Sequence, residues 1–207
     1  MHKEIRQSPG NPLPAVSPEE KPDAAGDSER HTGKGAAART ARIFCVANQK
    51  GGVGKTTTTV NRAAGLAKVG QRVLMSDLDP QGNATMGSGV DKRKLELTVY
   101  DVLLESSTLA EARKHSEKCG YDVLGANREL AGAEVELVSL ERREKRLKQA
   151  LAAVAGDYDF VRIDCPPSLS LLALNGLCAA PCVLVTMQCE CVALEGVTDF
   201  VPPLQHD

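Results

Sequence analysis

The feature that most constrains the fold is a glycine-rich segment placed between an apolar run and a helical pattern. The apolar run covers residues 43–47, and apolar residues at helical spacing follow at residues 60–67. Between them, residues 50–57 read Lys-Gly-Gly-Val-Gly-Lys-Thr-Thr. A strand, a glycine turn and a helix start form the context in which such a segment cradles phosphate. The sequence therefore predicts a strand–loop–helix unit.

The loop supplies the groups that a polyphosphate and Mg²⁺ require. Its glycines allow backbone N–H groups to turn inward, and the helix N-terminus adds a partial positive charge. Lys55 is expected to reach the β- and γ-phosphates, and the Thr56 hydroxyl is expected to ligate Mg²⁺. Gln49 stands where the common pattern has its first glycine, and a second lysine follows it. The predicted phosphate-binding residues are Lys50, Gly51, Gly52, Val53, Gly54, Lys55, Thr56 and Thr57.

Carboxylates follow two further predicted strands. Asp77 and Asp79 come after a predicted strand at residues 71–75, and Asp164 ends the predicted strand at residues 160–164. Ligands of an open parallel sheet bind outside the carboxyl ends of its strands. We therefore expect these acids at the same sheet edge as the glycine loop. Asp164 is placed to hold Mg²⁺, and Asp79 is placed to orient an attacking water.

Strands and helices alternate from residue 43 onward, which predicts an α/β fold with a doubly wound, mostly parallel sheet flanked by helices. Further strands are expected at residues 121–124 and 182–187, and helices at residues 97–104, 134–154 and 169–179. Residues 141–148, inside the longest of these helices, are rich in Arg and Lys. Their interspersed glutamates favour a solvated face over a nucleic-acid surface.

Composition fits one soluble domain preceded by a tail. A formal net charge of −2 gives no global case for nucleic acid or an anionic membrane as partner. No apolar stretch approaches the roughly 18 residues of a membrane span, and the first residues lack a secretory signal, so a cytoplasmic protein is expected. Residues 1–40 contain five prolines and few apolar residues. They predict a disordered tail before a domain at residues 41–207.

Two arginines occupy positions where apolar residues are expected. Arg162 lies in the predicted strand before Asp164, where an unpaired buried guanidinium destabilises the fold by several kcal/mol. Pairing with a nearby acid and exposure at a sheet edge both remain open. Arg62, two helical turns after the loop, is placed where it can face the core.

The seven cysteines include no C-x-x-C pair, which favours reduced thiols. Four of them cluster near the end of the chain, but their spacing matches no zinc framework. Small buried hydrophobes are therefore favoured over a metal site for Cys178, Cys182, Cys189 and Cys191.

Four ordered segments, at residues 50–57, 77–85, 164–168 and 188–196, resemble the ParA/Soj chromosome- and plasmid-partitioning ATPases. This is the deviant Walker A branch of the P-loop NTPases that also includes MinD, and the resemblance runs from about residue 41 to residue 200. It implies ATP and Mg²⁺ as cofactors, ATP hydrolysis, and a homodimer that closes on ATP binding. It also implies non-specific DNA binding, nucleoid association in the cytoplasm, and a ParB-like centromere-binding partner that stimulates hydrolysis.

The resemblance assigns roles to individual residues. Lys50 would cross the dimer interface to the phosphates of the partner, and Asp79 would be required for hydrolysis. Thr56 and Asp164 would belong to the Mg²⁺ shell. The implied catalytic residues are Lys50, Lys55 and Asp79.

Members of this family continue well beyond the strand expected at residues 182–187. The resemblance therefore implies a C-terminally truncated chain, with the last elements of the sheet and much of the DNA-binding surface missing. This leaves open a second interpretation, a truncated ParA paralogue without ATPase activity. A membrane-positioning role of the MinD kind is disfavoured, because Pro202 and Pro203 prevent an amphipathic C-terminal helix.

Overall fold

The computed structural model describes residues 40–187. Within this range the strands form one six-stranded sheet in the order β3-β4-β2-β5-β1-β6. Neighbouring strands are parallel except for the antiparallel pair β3–β4. The strands are β1 (Arg42–Ala47), β2 (Val73–Asp77), β3 (Lys114–Ser116), β4 (Tyr121–Leu124), β5 (Phe160–Asp164) and β6 (Cys182–Val185). The predicted mostly parallel α/β sheet is confirmed.

Helices cover both sides of this sheet. They are α1 (Lys55–Lys68), α2 (Asn83–Gly87), α3 (Val99–Leu103), α4 (Leu109–Ala112), α5 (Leu130–Leu137), α6 (Arg146–Val154) and α7 (Leu171–Ala179). One apolar cluster lies between the sheet and α3 to α7, and a smaller one lies under α1 and α2. The sheet is therefore a middle layer whose strands are buried on two sides, as parallel strands require.

The prediction of one continuous helix at residues 134–154 is wrong, because this range contains the end of α5, a turn and then α6. Arg142 in the turn has a φ of 51°, which no helix interior accepts. The side chain of Asn175, on α7, stabilises the break. Its Oδ1 accepts a hydrogen bond from the Leu147 N–H at 3.2 Å, and its Nδ2 donates to the Arg143 carbonyl at 2.8 Å. An amide from another helix thus caps the start of α6.

The basic segment at residues 141–148 is consequently not a helical face over most of its length. The Arg143 guanidinium donates to the carbonyl of Val138 at 2.7 Å. Arg146 pairs with Glu105 at 3.3 Å. The favoured interpretation of a solvated helical face is therefore wrong for residues 141–145, and whether the segment contacts nucleic acid stays a prediction.

Shorter elements were not predicted. The edge strand β3 has three residues, and α2 and α4 have five and four. Within the described range no helix is long and apolar enough to cross a membrane. The predicted tail at residues 1–40 lies outside the described residues except for residue 40, and the domain boundary at residue 41 stays a prediction.

The structure confirms the buried position predicted for Arg162 but not the one predicted for Arg62. Arg162 lies in β5, an inner strand, and is only 4% exposed, so an exposed sheet edge does not explain it. No ion pair of Arg162 is found among residues 40–187. Arg62 is exposed, so the expectation that it faces the core is wrong. Its position on the α1 helix turns it to solvent while Ala63 takes the buried position beside it.

Candidate functional site

The glycine loop between β1 and α1 has the backbone conformation that only glycine adopts easily. Gly52 has a φ of 75° and Gly54 a φ of 80°, both in the left-handed region. Gly54 is also the N-cap residue directly before α1. A Cβ atom added at Gly51, Gly52 or Gly54 would meet no atom within 4 Å. The backbone conformation, rather than crowding, therefore requires glycine at Gly52 and Gly54, and the space beside the loop is open to a ligand.

Asn48 holds the start of this loop, and sequence reasoning missed it. Its Nδ2 donates to the Thr186 carbonyl at 2.5 Å, and its Oδ1 accepts from the Lys50 N–H at 2.9 Å. The side chain is only 2% exposed. Asn48 thus joins the end of β6 to the phosphate loop. A polar residue directly after an apolar strand was the available signal.

Lys55 is the buried cation of the site. It is 8% exposed, and its Nζ donates to the Lys50 carbonyl across the loop at 3.1 Å. Burial lowers the pKa of Lys55, and the charges of Asp164 and Asp79 oppose this change. The charges of both carboxylates thus act on the Lys55 ammonium, although no ion pair of Lys55 is found among residues 40–187. Lys50, in contrast, is exposed.

Asp164 lies at the carboxyl end of β5 and accepts hydrogen bonds from two threonine hydroxyl groups of α1. Thr56 Oγ1 donates to Asp164 Oδ2 at 2.8 Å, and Thr59 Oγ1 donates to Asp164 Oδ1 at 2.9 Å. Burial raises the pKa of Asp164 to about 6, and the two hydroxyl groups limit the rise. The predicted pair Thr56 and Asp164 is therefore brought together. Thr59 was missed, although it lies three residues after Thr56 and so on the same helix face.

Asp77, at the carboxyl end of β2, organises the turn that contains Asp79. Its Oδ1 accepts from the Asp79 N–H at 3.0 Å. Its Oδ2 accepts from both the N–H and the hydroxyl of Thr85 at 2.8 Å. The Thr85 hydroxyl in turn accepts from the Ala126 N–H at 2.9 Å. Asp77 is fully buried and Asp79 is half-buried, so Asp77 shapes the turn while Asp79 can meet a ligand.

The structure thus places the predicted residues at one edge of the sheet. Thr56 contacts Asp164, the charges of Asp164 and Asp79 act on Lys55, and Thr57 is exposed on the first turn of α1. Two clefts of about 590 and 630 Å³ lie elsewhere, and no residue of the glycine loop lines them.

No group of three His, Cys, Asp or Glu side chains that could hold a metal is present among residues 40–187. Cys182 is exposed and Cys178 is half-buried, so the expectation that both are buried hydrophobes is wrong. Cys182 is at the end of an edge strand, where nothing among the described residues covers it. Cys189 and Cys191 lie outside the described residues.

A parallel sheet with a glycine loop after its first strand, a buried lysine at the helix start and a Thr–Asp pair beside it defines a phosphate-binding-loop protein. The profile of the family described as "AAA domain" matches residues 41–206. The chain belongs to this family and is of the ParA/Soj type.

The similarity to individual relatives is high. The sporulation initiation inhibitor protein Soj of Bacillus subtilis (strain 168) is 50% identical over 160 residues, which are 77% of this chain and 63% of Soj. The chromosome partitioning protein ParA of Myxococcus xanthus (strain DK1622) is 48% identical over 163 residues, which are 79% of this chain and 58% of that ParA. The chain therefore spans less than two thirds of these relatives, and their activities are hypotheses for it.

Among solved structures, cobyrinic acid a,c-diamide synthase from Mycobacterium smegmatis with bound ATP analogue and magnesium is similar throughout the matched region. Its TM-score is 0.77 at 48% sequence identity, and the match covers 80% of this chain and 67% of the synthase. This similarity agrees with the α/β fold described above.

Proposed function

We propose that this protein is a ParA-like ATPase of bacterial chromosome or plasmid partitioning, and that it binds ATP with Mg²⁺ at the glycine loop. The observation that carries the proposal is the contact between Thr56 and Asp164, 2.8 Å apart beside the buried Lys55. A hydroxyl, a carboxylate and a cation at the mouth of a glycine loop are the groups that a Mg²⁺–triphosphate complex requires.

The residues fit Mg²⁺ well. Mg²⁺ keeps several waters and takes few protein ligands beside substrate phosphates. Thr56 and Asp164 would supply the protein oxygens, Asp164 through water, and the absence of a larger acidic cluster among residues 40–187 agrees with this limited set. When bound, the metal would neutralise the developing charge of phosphoryl transfer. The structure of the M. smegmatis synthase, with its ATP analogue and magnesium, supports this pair of cofactors.

The other residues position the reacting groups. Lys55 would bind the β- and γ-phosphates through its buried ammonium. Asp79, held in its turn by Asp77, would orient the attacking water. Lys50 is exposed and would contact the phosphates of a second protomer, which makes hydrolysis depend on an ATP-bound homodimer.

Relatives named Soj and ParA support a role in DNA segregation. By this similarity we infer a cytoplasmic, nucleoid-associated protein. It would bind DNA without sequence preference, and it would not bind a membrane. A ParB-like protein would stimulate its hydrolysis. The M. smegmatis neighbour bears the name of a synthase, but the ParA and Soj relatives match at equal or higher identity and favour partitioning.

The first experiment measures ATP binding with Mg²⁺ by isothermal titration calorimetry. The Lys55→Ala variant is expected to lose binding, whereas Lys68→Ala, in the last turn of the same helix, is expected to bind like the unmodified protein. Equal titrations of the unmodified protein and Lys55→Ala would refute the assignment. Loss of binding in Lys68→Ala as well would point to general instability.

The second experiment separates an active ATPase from the alternative, a paralogue without ATPase activity. Lys50→Ala is expected to bind ATP normally and to lose both ATP-dependent dimerisation and hydrolysis. Phosphate release and light scattering measure the two effects. Binding without hydrolysis in the unmodified protein, even with DNA and a ParB-like protein present, would support the inactive paralogue.

A further inference from the structure

Two cysteine side chains are in contact in the apolar cluster between the sheet and α7. Cys45, in β1, and Cys165, directly after β5, have their Sγ atoms 3.0 Å apart. Both residues are reduced, and both are buried, with exposed fractions of 0% and 1%. They are 120 positions apart in the chain, so the assembled sheet, and not the local sequence, brings the two thiols together.

The surrounding fold holds the two sulfur atoms in this position. The Cys165 N–H donates to the Val46 carbonyl at 3.1 Å, so the backbone after β5 is fixed beside β1. Gly176, on α7, leaves the space that the Cys165 sulfur occupies, because a Cβ atom added to this glycine would lie 2.5 Å from that sulfur. Strand β1, the turn after β5 and α7 therefore all contribute to the contact between the thiols.

Two roles suit a buried pair of thiols. One is packing, because cysteine behaves as a small apolar side chain in a core. Packing alone does not require two sulfur atoms in contact, however. The observed separation of 3.0 Å is only about 1 Å longer than an S–S bond of roughly 2.05 Å. Disulfides of cytosolic proteins, where they occur, are usually transient and redox-sensing. The geometry therefore favours a pair that can be oxidised.

We propose that Cys45 and Cys165 form a reversible disulfide when the protein meets a peroxide, and that this disulfide weakens nucleotide binding. One thiol is first oxidised to a sulfenic acid, which reduces the peroxide O–O bond and releases one water. The sulfur of the other thiol then attacks the sulfenic sulfur, and the hydroxide leaves with the thiol proton as a second water. The pair thus loses two protons and two electrons, and a dithiol reverses the reaction by exchange.

Oxidation of this pair requires a local opening of the structure, because both sulfur atoms are shielded from solvent. Helix α7 and the turn before it are the elements that must move. Gly176 on α7 covers the Cys165 sulfur, and residues 167–169 of the turn are exposed. The pair is therefore expected to react more slowly than the exposed Cys182, which serves as an internal reference.

The disulfide would act on the candidate site because Cys165 directly follows Asp164 in the chain. A bond to Cys45 would draw the turn after β5 towards β1 and shift Asp164, whose carboxylate contacts Thr56 at 2.8 Å. A misplacement of about 1 Å is enough to remove much of the effect of a positioned group. This step rests on the proposed function, since it assumes that Thr56 and Asp164 serve Mg²⁺–ATP.

Peptide mapping of the full chain tests the disulfide directly. The protein is treated with hydrogen peroxide, remaining thiols are alkylated, and trypsin and chymotrypsin digest the chain, since leucines separate Cys165 from Cys178. Mass spectrometry is expected to find most of the Cys45 peptide linked to the Cys165 peptide, and dithiothreitol should release both. Alkylated, unlinked Cys45 and Cys165 peptides after Cys182 has reacted fully, or linkage of Cys165 mainly to other cysteines, would overturn the proposal.

Titration calorimetry with Mg²⁺ and ATP tests the effect on the site. The oxidised protein is expected to bind at least about tenfold more weakly than the reduced protein, and dithiothreitol should restore binding. Cys45→Ala should bind equally before and after peroxide, whereas the matched control Cys182→Ser should stay sensitive. Equal affinities of the linked and reduced chains would overturn the effect on the site. A reduced protein that binds no ATP would refute the proposed function instead, and peptide mapping would still decide whether the disulfide forms.

Discussion

Asp77 and Asp164 face each other on the adjacent parallel strands β2 and β5, each as the last residue of its strand. Both are buried, and burial raises the pKa of both. The pKa of Asp77 rises to about 7, with the Asp164 charge as the second cause, and that of Asp164 rises to about 6. Two carboxylates that resist ionisation thus lie beside the glycine loop, where a metal or a lysine can compensate them.

We expect this pair to make the metal-free protein less stable as the pH rises. A buried acid with a raised pKa stabilises the fold while it is protonated, and this contribution is lost as the pH increases from about 4 through the folded pKa. The free energy of unfolding should therefore fall between pH 5 and pH 8, by on the order of 1 to 3 kcal/mol. Chemical denaturation at each pH, with EDTA present to keep the protein metal-free, measures this free energy of unfolding.

The control for this pH effect is Asp164→Asn, which removes one of the two ionisations. Its stability should depend less on pH over the same interval. A free energy of unfolding that rises steadily from pH 5 to pH 8 in the unmodified chain would contradict the assignment of raised pKa values to this pair.

Thr59 is expected to support Mg²⁺–ATP binding although it is placed to touch neither. Its single hydroxyl proton is shared between Asp164 Oδ1 at 2.9 Å and the Lys55 carbonyl at 3.0 Å, which ties the carboxylate to the first turn of α1. Thr59→Val should weaken Mg²⁺–ATP binding by about tenfold, the equivalent of one buried hydrogen bond to a charged group. Titration calorimetry checks this. Thr58→Val is the control, because no side-chain hydrogen bond of Thr58 is found among the described residues. An equal loss of Mg²⁺–ATP affinity in both variants would contradict the role of Thr59.

The sequence predicts the parts of the site that depend on chain order. A strand, a glycine loop and a helix place Lys55 and Thr56 without reference to distant residues, and the carboxyl ends of parallel strands bring Asp164 to the same edge. The structural roles of Asn48 and Asp77 could not be predicted in this way. Their roles depend on hydrogen bonds to Thr186 and Thr85, whose positions only the assembled sheet determines.

The fold shows the same division between local and distant causes. Apolar runs predicted five of the strands, whereas β3 has only Lys114, His115 and Ser116 and no apolar signal. The break at Arg142 within the helix predicted at residues 134–154 could not be seen from periodicity. It depends on Asn175, which is 28 residues beyond Leu147 in the chain.

Asn175 should therefore be important for stability. It is fully buried and makes three hydrogen bonds, to the Leu147 N–H and to the carbonyls of Arg143 and Leu171. Asn175→Ala leaves the Leu147 N–H and the Arg143 carbonyl without their side-chain partner and should destabilise the fold by about 2 to 3 kcal/mol. A urea denaturation curve measures the change. Asn61→Ala, at an exposed position on α1, should change stability by less than about 0.5 kcal/mol; a similar loss in both would argue against the capping role.

Two glycines should respond to alanine in opposite directions. Gly82, which precedes α2, has a φ of 60°, and a Cβ atom there would lie 2.5 Å from the Ala126 carbonyl oxygen. Its N–H also donates to the Asp79 carbonyl at 2.8 Å, so the turn must shift to accept a side chain. Gly65 lies within α1, is exposed, and has no atom within 4 Å of an added Cβ.

Gly82→Ala should destabilise the protein by about 2 kcal/mol or more, because backbone strain and the contact with a carbonyl oxygen add together. Gly65→Ala should stabilise it by roughly 0.5 to 1 kcal/mol, since alanine loses less backbone entropy in a helix. Thermal denaturation monitored by circular dichroism measures whether each variant is more or less stable than the unmodified protein. Stabilisation by Gly82→Ala would show that the turn containing Asp79 tolerates a side chain, and that its position is less strictly held than the hydrogen bonds of Asp77 indicate.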